Sequence, residues 1–167
     1  MKVREIMTRR VDSCTPETDL GTAACMMWRR DCGAIPVVEP GTRKVVGMIT
    51  DRDICIGLAT SGKRPDERRV SEIMGDVAYT IGSETDIREA MLAMQRHQVR
   101  RLPVTNRQGE LEGILSLNDL VLHAESGGPT ETHVAIPDLM RTLRTVSEHR
   151  ATALVPDDHL LAEIEVC

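Results

Sequence analysis

Apolar side chains recur at positions i, i+3, i+4 and i+7 in two segments, a spacing that keeps them on one face of a helix. The two sets are Leu20, Ala23, Ala24 and Met27, and Ile87, Ala90, Met91 and Met94. Short apolar runs at 34–38, 45–50, 101–105 and 111–116 are separated by turn residues, so they predict two pairs of strands. Each pair follows one of the helices.

The chain contains an internal sequence repeat. When it is shifted by 67 positions, many residues fall on an identical or similar residue. The matches include Val3 with Val70, Ile6-Met7 with Ile73-Met74, Glu17-Thr18-Asp19 with Glu84-Thr85-Asp86, and Ile35-Pro36-Val37 with Leu102-Pro103-Val104. The shift falls to 66 after the turn, where Gly47, Thr50 and Asp53 meet Gly113, Ser116 and Asp119. Self-similarity of this length predicts two copies of one structural unit.

Each unit predicts the same order of elements. A short helical lead-in (3–7 and 70–74) precedes an extended piece (11–14 and 77–81). Thr18 or Thr85 is then predicted to cap the amphipathic helix. Two strands and a second helix (51–58 and 117–123) complete the unit.

The predicted fold class is therefore α/β (α+β), with two tandem β-α-β-β-α repeats packed sheet to sheet around a pseudo-twofold axis. One unit alone buries too little core to be stable. The domains are predicted at 1–60 (first repeat), 61–125 (second repeat) and 126–167, a linker and C-terminal helical tail. In that tail, 126–129 is predicted as the linker, and helices are predicted from Pro137 and over 157–164.

Composition narrows the class of protein. The net charge is −5, and the chain has no Phe, one Trp and one Tyr, which argues against a nucleic-acid binder. The start MKVREIM lacks an apolar signal region, and no apolar run approaches the ~20 residues that span a bilayer. The expectation is a soluble cytoplasmic protein that binds no membrane.

A hydroxyl residue ends the last strand of each unit, and a carboxylate residue follows shortly after it. Thr50 and Ser116 close the runs, and Asp53 and Asp119 follow three residues later. This spacing is typical of a helix N-cap. The same geometry also suits a ligand, because helix N-termini attract phosphate and a carboxylate accepts hydrogen bonds from vicinal hydroxyls. The two roles are compatible, so both stay open.

The combination of MITDRD, HQVRRLPV and EIM in a duplicated unit resembles a pair of cystathionine-β-synthase (CBS) domains, the Bateman module. The resemblance covers about residues 2–125. It implies a regulatory module of the small stand-alone bacterial type, with no catalysis, that binds AMP, ADP, ATP or S-adenosylmethionine in the cleft between the repeats. It also implies disc-like homodimers and an effector protein whose identity the sequence does not give.

The resemblance assigns ribose and phosphate contacts to Thr50 and Asp53 in one site, and to Ser116 and Asp119 in the other. It places adenine against two walls of backbone, and aliphatic groups such as Ile35 and Leu102 are expected to clamp the purine. The full set of expected ligand-binding residues is Thr15, Ala34, Ile35, Pro36, Thr50, Asp51, Arg52, Asp53, Ile81, Arg100, Arg101, Leu102, Pro103, Ser116 and Asp119.

The two sites are predicted to differ. Gly33-Ala34 of the first repeat becomes Arg100-Arg101 in the second, and Arg52 becomes Asn118. Phosphate is expected to meet Arg52, Arg100 and Arg101, with His97 as a weaker candidate, or these side chains are simply solvated. The site at Thr50 and Asp53 is predicted to bind better, because an arginine lies within its own motif.

Other chemistry is not supported by the spacing of residues. The five histidines and five cysteines form no metal-binding or redox motif, so no metal site is predicted. No cofactor is required, and Mg²⁺ is expected only beside a bound polyphosphate. A thiol switch through Cys14 and Cys32 is the weakest of three functional hypotheses. The second hypothesis is an interaction protein that acts through its tail and a dimer surface around Trp28.

Overall fold

The computed structural model describes residues 1–75, 77–125 and 133–148 of the chain. It confirms the mixed α/β architecture with two tandem repeats. The predicted linker at 126–129 and the predicted helix at 157–164 lie outside the described residues. Within the described part, no helix has the length and apolar character needed to cross a membrane.

The first repeat contains the elements predicted from its periodicity. They are α1 (Val3–Ile6), α2 (Leu20–Arg29), β1 (Ala34–Val38), β2 (Val45–Thr50) and α3 (Asp51–Ser61). β1 and β2 are antiparallel, with Ala34 opposite Thr50 and Ile35 opposite Ile49. Cys14, in the extended piece before α2, forms a parallel bridge with Val37.

The second repeat has the same order. A 3₁₀ turn (Val70–Glu72) replaces α1 and is followed by β3 (Ile81–Gly82), α4 (Ile87–His97), β4 (Arg101–Thr105), β5 (Leu111–Ser116) and α5 (Leu117–Leu122). β3 is parallel to β4, and β4 is antiparallel to β5. The chain then forms β6 (Ala124–Glu125), β7 (Val134–Ala135) and α6 (Ile136–Ser147).

The caps of the two amphipathic helices differ from the prediction by one residue. Asp19 and Asp86, rather than Thr18 and Thr85, are the N-caps, and their carboxylates accept from the backbone N–H of Thr22 and Arg88. Thr18 instead accepts a hydrogen bond from the Thr15 N–H at 3.0 Å. It therefore closes the turn before the helix, a role that a hydroxyl next to an Asp can equally take.

The lead-ins are exchanged between the repeats. α1 packs in the core of the second repeat, where the Val3 N–H donates to the Thr85 carbonyl at 3.0 Å. The equivalent turn at Val70 packs in the core of the first repeat, and its N–H donates to the Thr18 carbonyl at 2.9 Å. Each core is thus completed by the other half of the chain.

The two halves are related by a pseudo-twofold axis that passes near Lys44 and Glu110. These residues are equivalent under the 66-residue shift, and they pair with each other in an isolated antiparallel bridge. On either side, the Val45 N–H donates to the Gly109 carbonyl and the Leu111 N–H to the Arg43 carbonyl. The hairpin tips therefore join the repeats.

Two equivalent glycines allow the exchanged lead-ins to approach the strands. A Cβ on Gly113 would lie 2.6 Å from the Thr8 carbonyl oxygen, and one on Gly47 would lie 2.9 Å from the Met74 sulfur. A backbone carbonyl cannot move aside as readily as a flexible Met side chain can. The contact at Gly113 is therefore the stricter of the two.

Candidate functional site

The predicted hydroxyl–carboxylate pairs form reciprocal caps at the N-termini of α3 and α5. The Thr50 hydroxyl donates to Asp53 Oδ2 at 2.7 Å and accepts from the Asp53 N–H at 3.1 Å. The Ser116 hydroxyl makes the same contacts with Asp119, at 2.7 and 3.3 Å. The capping role is therefore present in both repeats, and it fixes the orientation of each carboxylate.

The second oxygen of each carboxylate distinguishes the two sites. Asp53 Oδ1 has no hydrogen-bond partner among the described residues, whereas the Thr8 hydroxyl lies 3.4 Å from Asp119 Oδ1. Thr8 belongs to the exchanged lead-in beside β5, and its equivalent beside β2 is Gly75, which has no side chain. Of these two carboxylates, that of Asp53 keeps one oxygen without a hydrogen-bond partner in the described part of the chain.

Strand alternation determines which wall residues can reach a ligand. The side chains of Ile35 and Leu102 are 1% and 0% exposed and lie in the two cores, so the expected clamp by these side chains is wrong. Successive residues of a strand point to opposite faces. The side chains of Ala34, Pro36, Arg101 and Pro103 lie on the opposite face of their strands, where only that of Arg101 among the four is partly exposed, and Ile35 and Leu102 can contribute backbone only.

The extended pieces lie next to these strands as predicted. The Cys14 N–H donates to the Pro36 carbonyl at 3.1 Å, which brings Thr15 to the edge of β1. The Thr15 hydroxyl is engaged with the Thr18 hydroxyl at 3.2 Å. In the second repeat, Ile81 pairs with Val104 and lies beside β4. Backbone from both pieces borders the strands that carry the caps.

Three arginines near the caps have no anionic partner in the described part of the chain. Arg52 follows the Thr50 cap, and the Arg100 carbonyl accepts from the Leu117 N–H at 3.0 Å. Arg101 lies opposite Ser116 across the β4–β5 pair. Within residues 1–75, 77–125 and 133–148 no ion pair involves these three side chains, although other arginines are paired, such as Arg30 with Asp12. Their charges remain available to a phosphate.

His97 is less available than the prediction assumed. Its ring stacks on Tyr79, with centroids 3.8 Å apart and planes at 17°. The equivalent residues of the first repeat are Arg30 and Asp12, which form a bidentate ion pair at 2.6 and 3.0 Å. This ion pair lowers the pKa of Asp12. In each repeat, this contact joins the extended piece to the C-terminal end of the amphipathic helix. The contact is an ion pair in the first repeat and ring stacking in the second.

Asp51 is a predicted site residue whose carboxylate lines a groove outside the Thr50–Asp53 cap. Its carboxylate packs against Gly33, where a Cβ would come within 2.8 Å of Asp51 Oδ2. It lines a cavity of about 430 Å³ between α2 and α3, together with Ala24, Met27, Trp28, Asp31, Cys32, Gly33, Ile54 and Cys55. This groove includes neither Thr50 nor Asp53, and sequence reasoning did not predict it.

Within the described residues, no three His, Cys, Asp or Glu side chains are grouped closely enough to hold a metal ion. Burial raises the pKa of the Cys14 thiol to about 11, so this thiol stays protonated at neutral pH. A protonated thiol is a poor nucleophile. The structure gives no support to Cys14 as a redox switch.

Comparison with known proteins gives one consistent family. The profile of the CBS domain matches residues 3–59 and 70–126. The chain is 36% identical over 136 residues to the CBS domain-containing protein YhcV of Bacillus subtilis, covering 80% of this chain and 94% of that protein.

Two solved structures are also similar. One is Hypoxic Response Protein I with two coordinated zinc ions, with a TM-score of 0.66, 32% identity, and coverage of 74% of this chain and 98% of that one. The other is the CBS domain pair of MJ0100 in complex with 5′-methylthioadenosine and S-adenosyl-L-methionine. Its TM-score is 0.65 at 20% identity, covering 73% of this chain and 94% of that one. At that identity, the likeness to MJ0100 concerns the fold alone.

Proposed function

Because the chain belongs to the CBS-domain family, we propose that it is a regulatory module that binds an adenosine-containing ligand at the Thr50–Asp53 site. The observation that carries the proposal is the carboxylate of Asp53. One of its oxygens is fixed by the cap, and the other has no partner in the described part of the chain. That free oxygen is an acceptor for a ribose hydroxyl.

The surroundings of Asp53 supply the other contacts that such a ligand needs. The Arg52 guanidinium, which has no ion-pair partner among the described residues, is suited to phosphate, and the first turn of α3 presents its N-terminal dipole. Ala34 lies opposite Thr50 across the β1–β2 pair and has a short side chain. The purine would lie against the backbone of β1 and of the extended piece at Thr15, since neither wall carries an aromatic side chain.

The ligand would act by population shift. A molecule that contacts both repeats favours the relative arrangement that fits it best, by as much as its affinity differs between arrangements. The exchanged lead-ins give such a shift a route, because α1 and the turn at Val70 each belong to both halves. No catalytic group is required, and Mg²⁺ would accompany only a polyphosphate.

Thermal shift and calorimetry with AMP, ADP, ATP and S-adenosylmethionine test the proposal. A ligand present at 100 times its dissociation constant should stabilise the fold by about 2.7 kcal/mol. Asp53→Asn should weaken binding at least tenfold, because the Asn side-chain oxygen can still accept from the Thr50 N–H in the capping box while the charged acceptor is lost. The matched variant Asp119→Asn should change the affinity less than threefold.

The outcomes separate the three functional hypotheses. No shift with any of these ligands would contradict the proposal and favour an interaction protein. A shift produced only by an oxidant would favour the thiol hypothesis. Binding that survives Asp53→Asn but is lost in Asp119→Asn would place the ligand at the second site instead.

A further inference from the structure

The two repeats have equivalent helical grooves, and in the second repeat the chain itself fills the groove. There α6 lies against both α4 and α5. Thr142 of α6 is 0% exposed and accepts a hydrogen bond from Gln95 Nε2 at 2.8 Å. Leu139 and Val146 of the same helix are buried in the core of this repeat. A groove of this kind therefore binds an amphipathic helix.

The groove of the first repeat is not covered by the part of the chain that the structure describes. Trp28 occupies the position equivalent to Gln95, 67 residues earlier, and its side chain is 87% exposed. Beside it lies the cavity of about 430 Å³ between α2 and α3, which Met27 and Ile54 line. A large exposed indole beside an apolar groove is typical of a surface that another segment covers.

The chain contains a second segment with the sequence pattern of α6. This helix begins with Ile136-Pro137-Asp138, and Val155-Pro156-Asp157 repeats the same motif. Three apolar residues of α6 that pack in the second core follow the spacing i, i+4 and i+7, namely Leu139, Leu143 and Val146. The same spacing recurs after the second motif, in Leu160, Ile164 and Cys167. The chain thus has two grooves and two segments that match them.

The second segment is far enough along the chain to reach the first repeat. α6 ends at Ser147, and the described chain ends at residue 148. At about 3.3 Å per residue, residues 148–157 can span up to about 30 Å. A compact unit of this size has a radius of gyration of only about 14 Å. The predicted helix at 157–164 can therefore lie on either repeat.

The charges of the segment are compatible with the groove. On the helix predicted over 157–164, Leu160, Leu161 and Ile164 share one face, and most carboxylates lie outside it, namely Asp158, Glu163 and Glu165. These carboxylates can therefore remain in water, away from Asp31 and Asp51 in the groove. Arg29, which follows Trp28, is exposed and has no ion-pair partner among the described residues, so it can meet them.

We propose that the segment 157–164 docks in the groove between α2 and α3 of its own chain and covers Trp28. Each repeat then carries one helix from the C-terminal part of the chain, α6 on the second repeat and this segment on the first. The groove is an intramolecular interface, and a protein that binds there must first displace the segment.

The emission of Trp28 gives a direct test, because it is the only tryptophan. In the wild-type chain, this emission should be blue-shifted relative to that of an indole in water, and it should not change on dilution. Leu161→Asp places a charge on the docking face, so it should shift the emission to the red and increase its quenching by acrylamide. Ala162→Asp adds the same charge on the opposite face of the predicted helix and should change neither.

Cross-linking tests whether the covering segment belongs to the same chain. Cys55 lines the groove, and Cys167 follows Ile164 by three residues. In a Cys25→Ser background, which removes the other exposed thiol of α2 and α3, a short bifunctional thiol reagent should join Cys55 to Cys167 within one chain. Cys55→Ser together with Val121→Cys moves the thiol to the equivalent position of α5 and should abolish this link.

Three results would overturn the proposal. One is a wild-type emission typical of a water-exposed indole at every protein concentration. Another is an equal response to Leu161→Asp and Ala162→Asp, which would mean that the apolar face is not the docking face. The third is a link that joins two copies, or a blue shift seen only where sedimentation detects dimers, which would mean that a second copy covers the groove. None of these outcomes depends on ligand binding, so the test stands apart from the proposed function.

Discussion

At the scale of single residues, the two repeats use different chemistry at equivalent positions. Cys14 of the first repeat is 3% exposed, and its counterpart in the second is Ile81, so the thiol serves as a small apolar group. Asp12 and Arg30 form an ion pair where Tyr79 and His97 stack. The repeat alignment pairs these positions, but composition alone does not reveal that they touch.

The buried thiol predicts a loss of stability at alkaline pH. The pKa of Cys14 is raised from 9.0 to about 11 by burial. Between these values the unfolded chain releases a proton that the folded chain retains, so the free energy of unfolding falls as pH rises through this window. Urea unfolding of the wild type should lose about 1–2 kcal/mol more than Cys14→Ala across that range.

Cys25→Ala is the control for that measurement, because Cys25 is exposed. It should retain the pH dependence of the wild type. Identical pH profiles for the wild type and Cys14→Ala would contradict the assignment.

At the scale of elements, the strands and helices were predictable and the partners of the lead-ins were not. Periodicity defines an element within its own segment, whereas the exchange of α1 and the turn at Val70 is a contact between distant segments. At the candidate site, too, the sequence predicted the local feature but not the long-range packing. The spacing of Thr50 and Asp53 predicted the cap, but the continuous apolar run of β1 did not reveal that Ile35 faces the core.

The exchange of lead-ins between the repeats predicts opposite effects of two substitutions on ligand binding, provided that the proposed function holds. Thr8→Gly should free Asp119 Oδ1 and raise the stoichiometry in calorimetry from one ligand per chain towards two. Gly75→Thr should weaken the first site about threefold to tenfold by competing for Asp53. The added side chain is sterically tolerated, because a Cβ at Gly75 meets nothing within 4 Å.

Thr8→Ser keeps the hydroxyl and should behave as the wild type does. Two ligands bound with equal affinity by the wild-type chain would show that Thr8 does not restrict the second site.

At the scale of the whole molecule, neither repeat is complete without the other. Each core contains a lead-in from the opposite half, and the hairpin tips are joined at Lys44 and Glu110. The duplication itself was readable from the sequence, because equivalent residues recur at a fixed shift. The way in which the two copies interlock could not be read from the sequence. The local sequence pattern of a lead-in is the same whether it packs on the sheet of its own repeat or on that of the other.

This interlocking predicts one cooperative unfolding unit. Leu102→Ala should cost about 2–5 kcal/mol, because the side chain is fully buried in the second core. Hydrogen exchange should then accelerate to a similar extent in peptides that cover 34–50 and 101–116. The reciprocal variant Ile35→Ala should do the same. Acceleration confined to the repeat that carries the substitution would contradict a single unit.

The bridge on the pseudo-twofold axis has a further consequence. Since Lys44 meets Glu110, its own equivalent, and each lead-in contact is returned by its counterpart, the contacts that join the two repeats are the same from either side. Two separate half-length polypeptides would already possess the geometry for this assembly. In a single chain, a substitution in one repeat is not repeated in the other. One of the two ligand sites can therefore specialise while the other changes independently.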